Sequence, residues 1–142
     1  MNEFLSMEDK KKQEIIKEIK EILLKKERVI FSFIFGSFLG SSSFRDIDIG
    51  IYIKNINENE VLDYELKISK EIADKCGLSF DIFDVKVLNF APNSFLNNIF
   101  NKGKLIFSND YKLLTDLIED TSFDAISNEY IALQSLKELV PA

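Results

Sequence analysis

The sequence predicts an α/β fold of the α+β type, a small mixed β-sheet backed by helices. Three observations carry that expectation. "RVIFSFIF" (28–35) is a short β-branched and aromatic run closed by Gly36. "DIDIGIYI" (46–53) alternates strictly between isoleucine and another residue, the period of a strand. Segments with helical spacing precede and follow this pair. The chain has 142 residues, which suits one domain over 1–142 with closing helices from about residue 110.

Taken in order, the first helix is expected over 7–26. Ile15, Ile16, Ile19, Ile22 and Leu23 share a face, and Lys10 to Lys12 are expected on the solvated one. The two strands that follow lie too close for a helical crossover, so they should pair antiparallel, with at most one short turn of helix between them. In the second strand Ile47, Ile49, Ile51 and Ile53 point one way, toward backing helices. Asp46, Asp48, Gly50 and Tyr52 point the other. A second helix spans 60–76, marked by Leu62, Leu66, Ala73 and Cys76 and stopped by Gly77. "LSFDIFDVKVL" (78–88) reads as a third strand, "NSFLNNIF" (93–100) as a short helix, and "KLIF" (104–107) as a short strand or extended segment. Two helices close the chain, near 110–119 and 123–139; in the last, Ile126, Tyr130, Leu133, Leu136 and Val140 share a face. Phe95, Phe100, Phe107 and Phe123 are expected in the core.

Composition excludes several classes. There is no histidine, which removes Ser-His-Asp and Cys-His catalysis and every histidine metal site. The one cysteine, Cys76, can form no intrachain disulfide; it reads as a small buried hydrophobe and fits a reducing, cytoplasmic compartment. A net charge of -6 does not provide the positive field that a broad nucleic-acid surface needs, so no direct nucleic-acid binding is expected, and a basic protein partner suits it better. The longest apolar run, 29–35, is too short to span a membrane, and the N-terminus has no apolar core of a signal peptide.

The chemistry concentrates between Gly36 and Asp48. Two aspartates two apart on a strand put their β-carbons roughly 7 Å apart on one side. Such carboxylates repel each other and raise each other's pKa unless a cation sits between them. Mg²⁺ prefers carboxylate oxygens and often bridges protein to substrate phosphates. A glycine after a buried strand lets backbone approach a ligand, and N–H groups with the Ser37 hydroxyl can cradle phosphate oxygens. A third carboxylate would complete a two-metal site. Asp81 and Asp84 are both available; three apart, they face opposite sides of a strand, and parity does not choose between them.

The set "FGSFLG…FRDIDIGIYI", "FDIFDVKVLNFAP" and "NKGKLIFSND", from about residue 29 to 110, resembles the minimal nucleotidyltransferase (MNT) family of the DNA polymerase beta superfamily. The resemblance implies a polymerase-beta-like fold. It matches Gly36 and Ser37 to the family's phosphate-gripping pair, Asp46 and Asp48 to its metal-binding aspartates, and Asp81 to the third acid, at the first D of a D-hydrophobic-hydrophobic-D run. Two departures stand out. Eight residues, Phe38 to Arg45, separate Ser37 from Asp46, where the family commonly has ten, and the arginine often seen before the second glycine is missing. Arg45 can supply that charge to a phosphate or make a surface ion pair.

The resemblance further implies Mg²⁺ (two ions), ATP as substrate, and transfer of AMP to a hydroxyl with release of pyrophosphate. Family members often act as antitoxins paired with a HEPN-domain ribonuclease toxin, adding AMP to a toxin tyrosine. The acceptor then arrives on a partner, or across an oligomer. The alternatives are a transferase acting on a small-molecule hydroxyl of aminoglycoside type, and a non-catalytic antitoxin that neutralises by covering its partner.

Overall fold

The computed structural model describes residues 5–41 and 43–139, with backbone alone at 5–6, 125, 127–132 and 135–139. In chain order the elements are β1 (Leu5–Ser6), α1 (Asp9–Leu24), β2 (Val29–Phe35), α2 (Ser37–Gly40), β3 (Ser43–Phe44), β4 (Ile47–Ile53), α3 (Val61–Cys76), β5 (Phe83–Val87), α4 (Asn93–Lys102), β6 (Lys104–Ser108) and α5 (Tyr111–Leu139). Single 3₁₀ turns occur at Glu58–Glu60 and Phe80–Ile82.

Four strands form a mixed sheet in the order β5-β4-β2-β6. The β2–β4 pair is antiparallel, as the short connection requires, and only the single turn α2 and the two-residue β3 fit between them. The parallel pair β4–β5 needs a crossover, which α3 supplies. The crossover helix ends on Gly77 in the left-handed region (φ 67°), where the Leu78 N–H returns to the Ala73 carbonyl at 3.2 Å. At the other edge β6 pairs antiparallel with β2. The separate β1–β3 ribbon sets Leu5 opposite Phe44 and Ser6 opposite Ser43.

The isoleucine face is the main core. Ile47, Ile49, Ile51 and Ile53 are buried with Ile15, Ile19 and Leu23 of α1 and Ile68, Ile72 and Ala73 of α3. The opposite face is covered as well, which the alternation of β4 alone does not foretell. Phe31 and Phe33 of β2 are aromatic on that side and must also leave water; they pack with Leu88, with Leu96 and Ile99 of α4, and with Leu114 of α5. Phe31 stacks on Tyr52 (ring centroids 5.0 Å) and meets Phe33 edge-on at 5.9 Å. The sheet is therefore sandwiched, with the Asp48 side chain of β4 outside both clusters.

Several expectations are corrected. The strand expected over 78–88 covers only Phe83–Val87, because its first part folds into the 3₁₀ turn. The apolar face of α3 is rotated: Leu62 and Leu66 are exposed, and Ile68 and Ile72 carry the burial. The two closing helices are one, α5. No Gly or Pro interrupts residues 119–123, and the Thr121 hydroxyl donates to the Ile118 carbonyl (3.1 Å) within the helix. Asp110 caps that helix, its carboxylate accepting the Leu113 N–H at 3.0 Å. Phe107 is in the core, but Phe123 is 70% and Ile126 67% exposed; Tyr130, Leu136 and Val140 lie outside the described side chains. Among the described residues no helix is long and apolar enough to cross a membrane.

Lys12 is the sharpest correction. It is only 7% exposed, not solvated, because α1 turns it inward on the same stripe as Ile15 and Ile19. Cys76 is half-buried against the main core, and burial together with a hydrogen bond to Glu18 pushes its thiol up to about 12, which keeps it protonated and inert.

Candidate active site

β2 ends at Phe35, directly opposite Asp48 of β4. The next residue, Gly36, has φ 82° and ψ -164°, a region open essentially only to glycine. Space makes the same demand. A Cβ built on Gly36 would stand 2.3 Å from Asp48 Oδ2. The Gly-Ser turn and the first buried acid are thus in contact, and the glycine is what lets the carboxylate lie against backbone. Ser37 opens α2 and is exposed, so its hydroxyl is free to meet solvent or a ligand.

On the other side of β4, the parallel register sets Asp84 of β5 beside Asp48. In β5 Phe83, Val85 and Val87 are buried in the main core, which leaves Asp84 and Lys86 on the face that Asp48 occupies. The Asp48 carboxyl lies within hydrogen-bonding reach of Asp84. Burial, the Asp84 charge and the Asp46 charge push the Asp48 carboxyl up to about 6; Lys86 opposes them. Lys86 Nζ lies 3.6 Å from Asp84 Oδ2. Asp46 stands just before β4 and is exposed, as is Arg45.

Asp81 is not with this group. It sits in the Phe80–Ile82 turn, exposed, with the Ser79 hydroxyl donating to its carboxylate and holding its pKa below the usual range. The Ser79–Asp81 turn precedes β5, so the acid that the family resemblance favoured lies outside the ladder and Asp84 lies inside it. The alternation of Phe83, Val85 and Val87 was the signal that could have placed Asp84. Lys86 escaped notice for the same reason.

The donor chemistry fits a divalent ion. Asp48, half-buried beside Asp84 and with the Asp46 charge in range, is relieved by a cation. Among the described residues no three Cys, Asp or Glu side chains are arranged to hold an ion by themselves. Mg²⁺ does not need three; one or two carboxylates and substrate phosphates complete its shell. The open depression lined by Asn59, Glu60, Asp63, Tyr64 and Lys67 shares no residue with this arrangement.

An acid pair resting on a glycine turn, at the open end of a mixed sheet, is the layout of a metal-assisted phosphate site. The family comparison agrees: residues 17–112 match the polymerase beta nucleotidyltransferase domain. The chain belongs to that family. By sequence it matches no curated protein. Its fold is shared with a chain of the tri-AMPylated Shewanella oneidensis HEPN toxin in complex with MNT antitoxin, at TM-score 0.64 and 14% identity over 90% of this chain and 98% of that one. A toxin–antitoxin structure with AMP-PNP gives TM-score 0.65 and 14% identity over 87% and 97%. The MntA–HepT toxin–antitoxin gives 0.58 and 13% over 93% and 98%.

Proposed function

We propose that this chain, acting as one domain over residues 1–142, is a Mg²⁺-dependent nucleotidyltransferase that moves AMP from ATP to a protein hydroxyl, a tyrosine of a HEPN-domain toxin, and so serves as an antitoxin in the cytoplasm. The observation that carries the chemistry is the contact between the Asp48 carboxylate and Gly36, which joins an acid pair to the Gly-Ser turn. The acceptor rests on the fold neighbours. One of them is the antitoxin complex of an AMPylated HEPN toxin, and another holds an ATP analogue. The acidic net charge of -6 suits a basic RNA-cutting partner.

In this reading Ser37 and the turn N–H groups grip the triphosphate, and Arg45 lies on the same loop to meet its charge. Asp48 and Asp84, with the Asp46 charge in range, would hold Mg²⁺ together with the substrate phosphates, and the ion would draw charge from the phosphates and from the attacking oxygen. Asp84 takes the part that the resemblance gave to Asp81, since it alone of the two shares a face with Asp48. The acceptor O–H attacks the α-phosphorus in line. The new O–P bond forms as the bond to the bridging oxygen breaks, pyrophosphate leaves, and the acceptor proton passes to the nearby carboxylate. The protein's contribution is positioning and charge neutralisation, so no histidine is required.

The test is co-expression of the chain with a candidate HEPN toxin, followed by intact-mass and peptide mass spectrometry. Added AMP on a toxin tyrosine, absent with Asp48→Asn, is the expected result. Toxin neutralised without any AMP, by wild type and D48N alike, would make the chain a covering antitoxin; modification of a small-molecule hydroxyl instead would move it to the other transferase class.

A further inference from the structure

Lys12 comes from the first turn of α1, far from the site in sequence, yet it ends inside the loop that carries the site. Its ammonium donates to the Phe38 carbonyl at 2.6 Å and to the Ser41 carbonyl. It also stands 5.0 Å from the Phe38 ring centre and 5.3 Å from that of Phe44. The two rings are fully buried and meet edge-on, with centroids 4.9 Å apart. Phe38 and Ser41 lie in and just after α2, the turn that Ser37 opens, and Phe44 lies in β3, immediately before Arg45 and Asp46. One cation therefore ties together both ends of the loop between the Gly-Ser turn and the acid strand. The β1–β3 ribbon holds the same loop from its outer side.

Stability does not explain this choice of residue. Burying an ammonium costs desolvation, and an apolar chain of similar length would fill the space between two phenylalanine rings without that cost. What an apolar chain cannot do is fix two carbonyls. Ser41 is exposed and nothing stands within 4 Å of a Cβ placed on Gly40, so the Ser41 end of the loop has room to turn to water once released. Eight residues, Phe38 to Arg45, separate Ser37 from Asp46, so few residues set the direction of the Ser37 hydroxyl.

We propose that Lys12 is a positioning residue for the nucleotide: through the Phe38 and Ser41 carbonyls and the Phe38 and Phe44 rings, it holds the 36–45 loop in the shape that presents Ser37 and the turn N–H groups to the triphosphate. The inference rests on the nucleotidyltransferase reading for its ligand. Its effect on the loop does not. A charged hydrogen bond is worth enough to change a binding constant about tenfold.

Lys12→Met and Lys12→Arg test it in the full chain with three measurements. Amide hydrogen exchange without ligand should rise in residues 37–44 of K12M while the β2–β4 ladder keeps its protection. AMP-PNP binding with Mg²⁺, by calorimetry, should weaken about tenfold or more in K12M and recover in K12R, whose guanidinium can reach the same carbonyls. In turnover, K12M should raise KM for ATP while KM for the acceptor and the melting temperature stay near wild type. Unchanged exchange in the loop, or equal AMP-PNP affinity in wild type and K12M, overturns the proposal and leaves the transferase reading standing. A global loss of protection and a lowered melting temperature in K12M, with K12R alike, also overturns it, by making Lys12 a core residue. If wild type binds no AMP-PNP, the transferase reading falls with the nucleotide half of the proposal, and the exchange data still decide the loop half.

Discussion

The two faces of β4 are built from alternate residues of one heptapeptide and serve opposite ends. On one, Ile47, Ile49, Ile51 and Ile53 are sealed beneath α1 and α3. On the other, Tyr52 and Gly50 pass under Leu88 and Phe31, and then the cover stops and Asp48 meets Asp84 and Gly36. Each isoleucine gains from burial, whereas Asp48 is placed where burial and the neighbouring Asp84 and Asp46 charges work against its own. Side chains that cost the apo fold free energy are the ones a metal and a triphosphate would repay on binding. Substitutions on the two faces should therefore separate activity from stability.

The largest effect belongs to the acid face. Losing one metal-holding carboxylate removes several kcal/mol of transition-state stabilisation, so Asp48→Asn and Asp84→Asn should each lower AMP transfer by about a thousandfold or more. Neither should lower the melting temperature, because each relieves a like-charge contact. Asp81→Asn is the internal control: its carboxylate faces solvent beside Ser79, and transfer should stay within about twofold of wild type. A large loss in D81N with an active D84N, measured in the same AMP-transfer assay, would restore the assignment that family resemblance favoured and would require β5 to shift its register.

The Asp81–Asp84 question also shows where sequence reading stops. Strict alternation made β4 legible down to which residues face which way, and the short connection made the antiparallel pairing legible, as Gly77 did for the end of α3. "LSFDIFDVKVL" offers no such clarity. Its alternation holds only from Phe83 onward, and a local Ser79–Asp81 hydrogen bond turns the first part into 3₁₀ structure, where parity has no meaning. Resemblance chose by position in a motif; the parallel ladder chooses by neighbour. Lys12 was overlooked for a different reason. It stands three residues before Ile15 and seven before Ile19, on the buried stripe of α1, but the last lysine of a run of three reads as solvated until the loop that receives it is seen.

On the isoleucine face the effects are moderate and of the other kind. Ile51→Val removes one buried methylene equivalent from a site that is wholly enclosed, and should cost about 1 kcal/mol of folding free energy by denaturant titration. AMP transfer per folded molecule should not change. A drop in turnover at full occupancy of the native state would mean that the sheet transmits packing defects to its open end, and the separation of the two faces would be lost.

The smallest effect is in the pH dependence of the apo protein, and it has a definite sign. Asp48 in the native state keeps its proton up to about 6, while in the unfolded chain the same carboxyl releases it near 3.8. Between those values the native state binds more protons than the unfolded one, so this residue's contribution to stability falls as pH rises through the window and is level above it. The wild-type melting temperature, measured against D48N to cancel the other carboxylates, should decline by a few degrees from pH 4 to pH 7. Mg²⁺ reverses the direction, because the ion requires the deprotonated Asp48 carboxylate: its affinity should increase as pH rises through about 6, and the melting temperature with saturating Mg²⁺ and AMP-PNP should gain most where the apo protein has lost most. A wild-type curve parallel to that of D48N, with Mg²⁺ affinity independent of pH, would mean that Asp48 ionises as an ordinary surface acid and that the two faces of β4 differ in exposure alone.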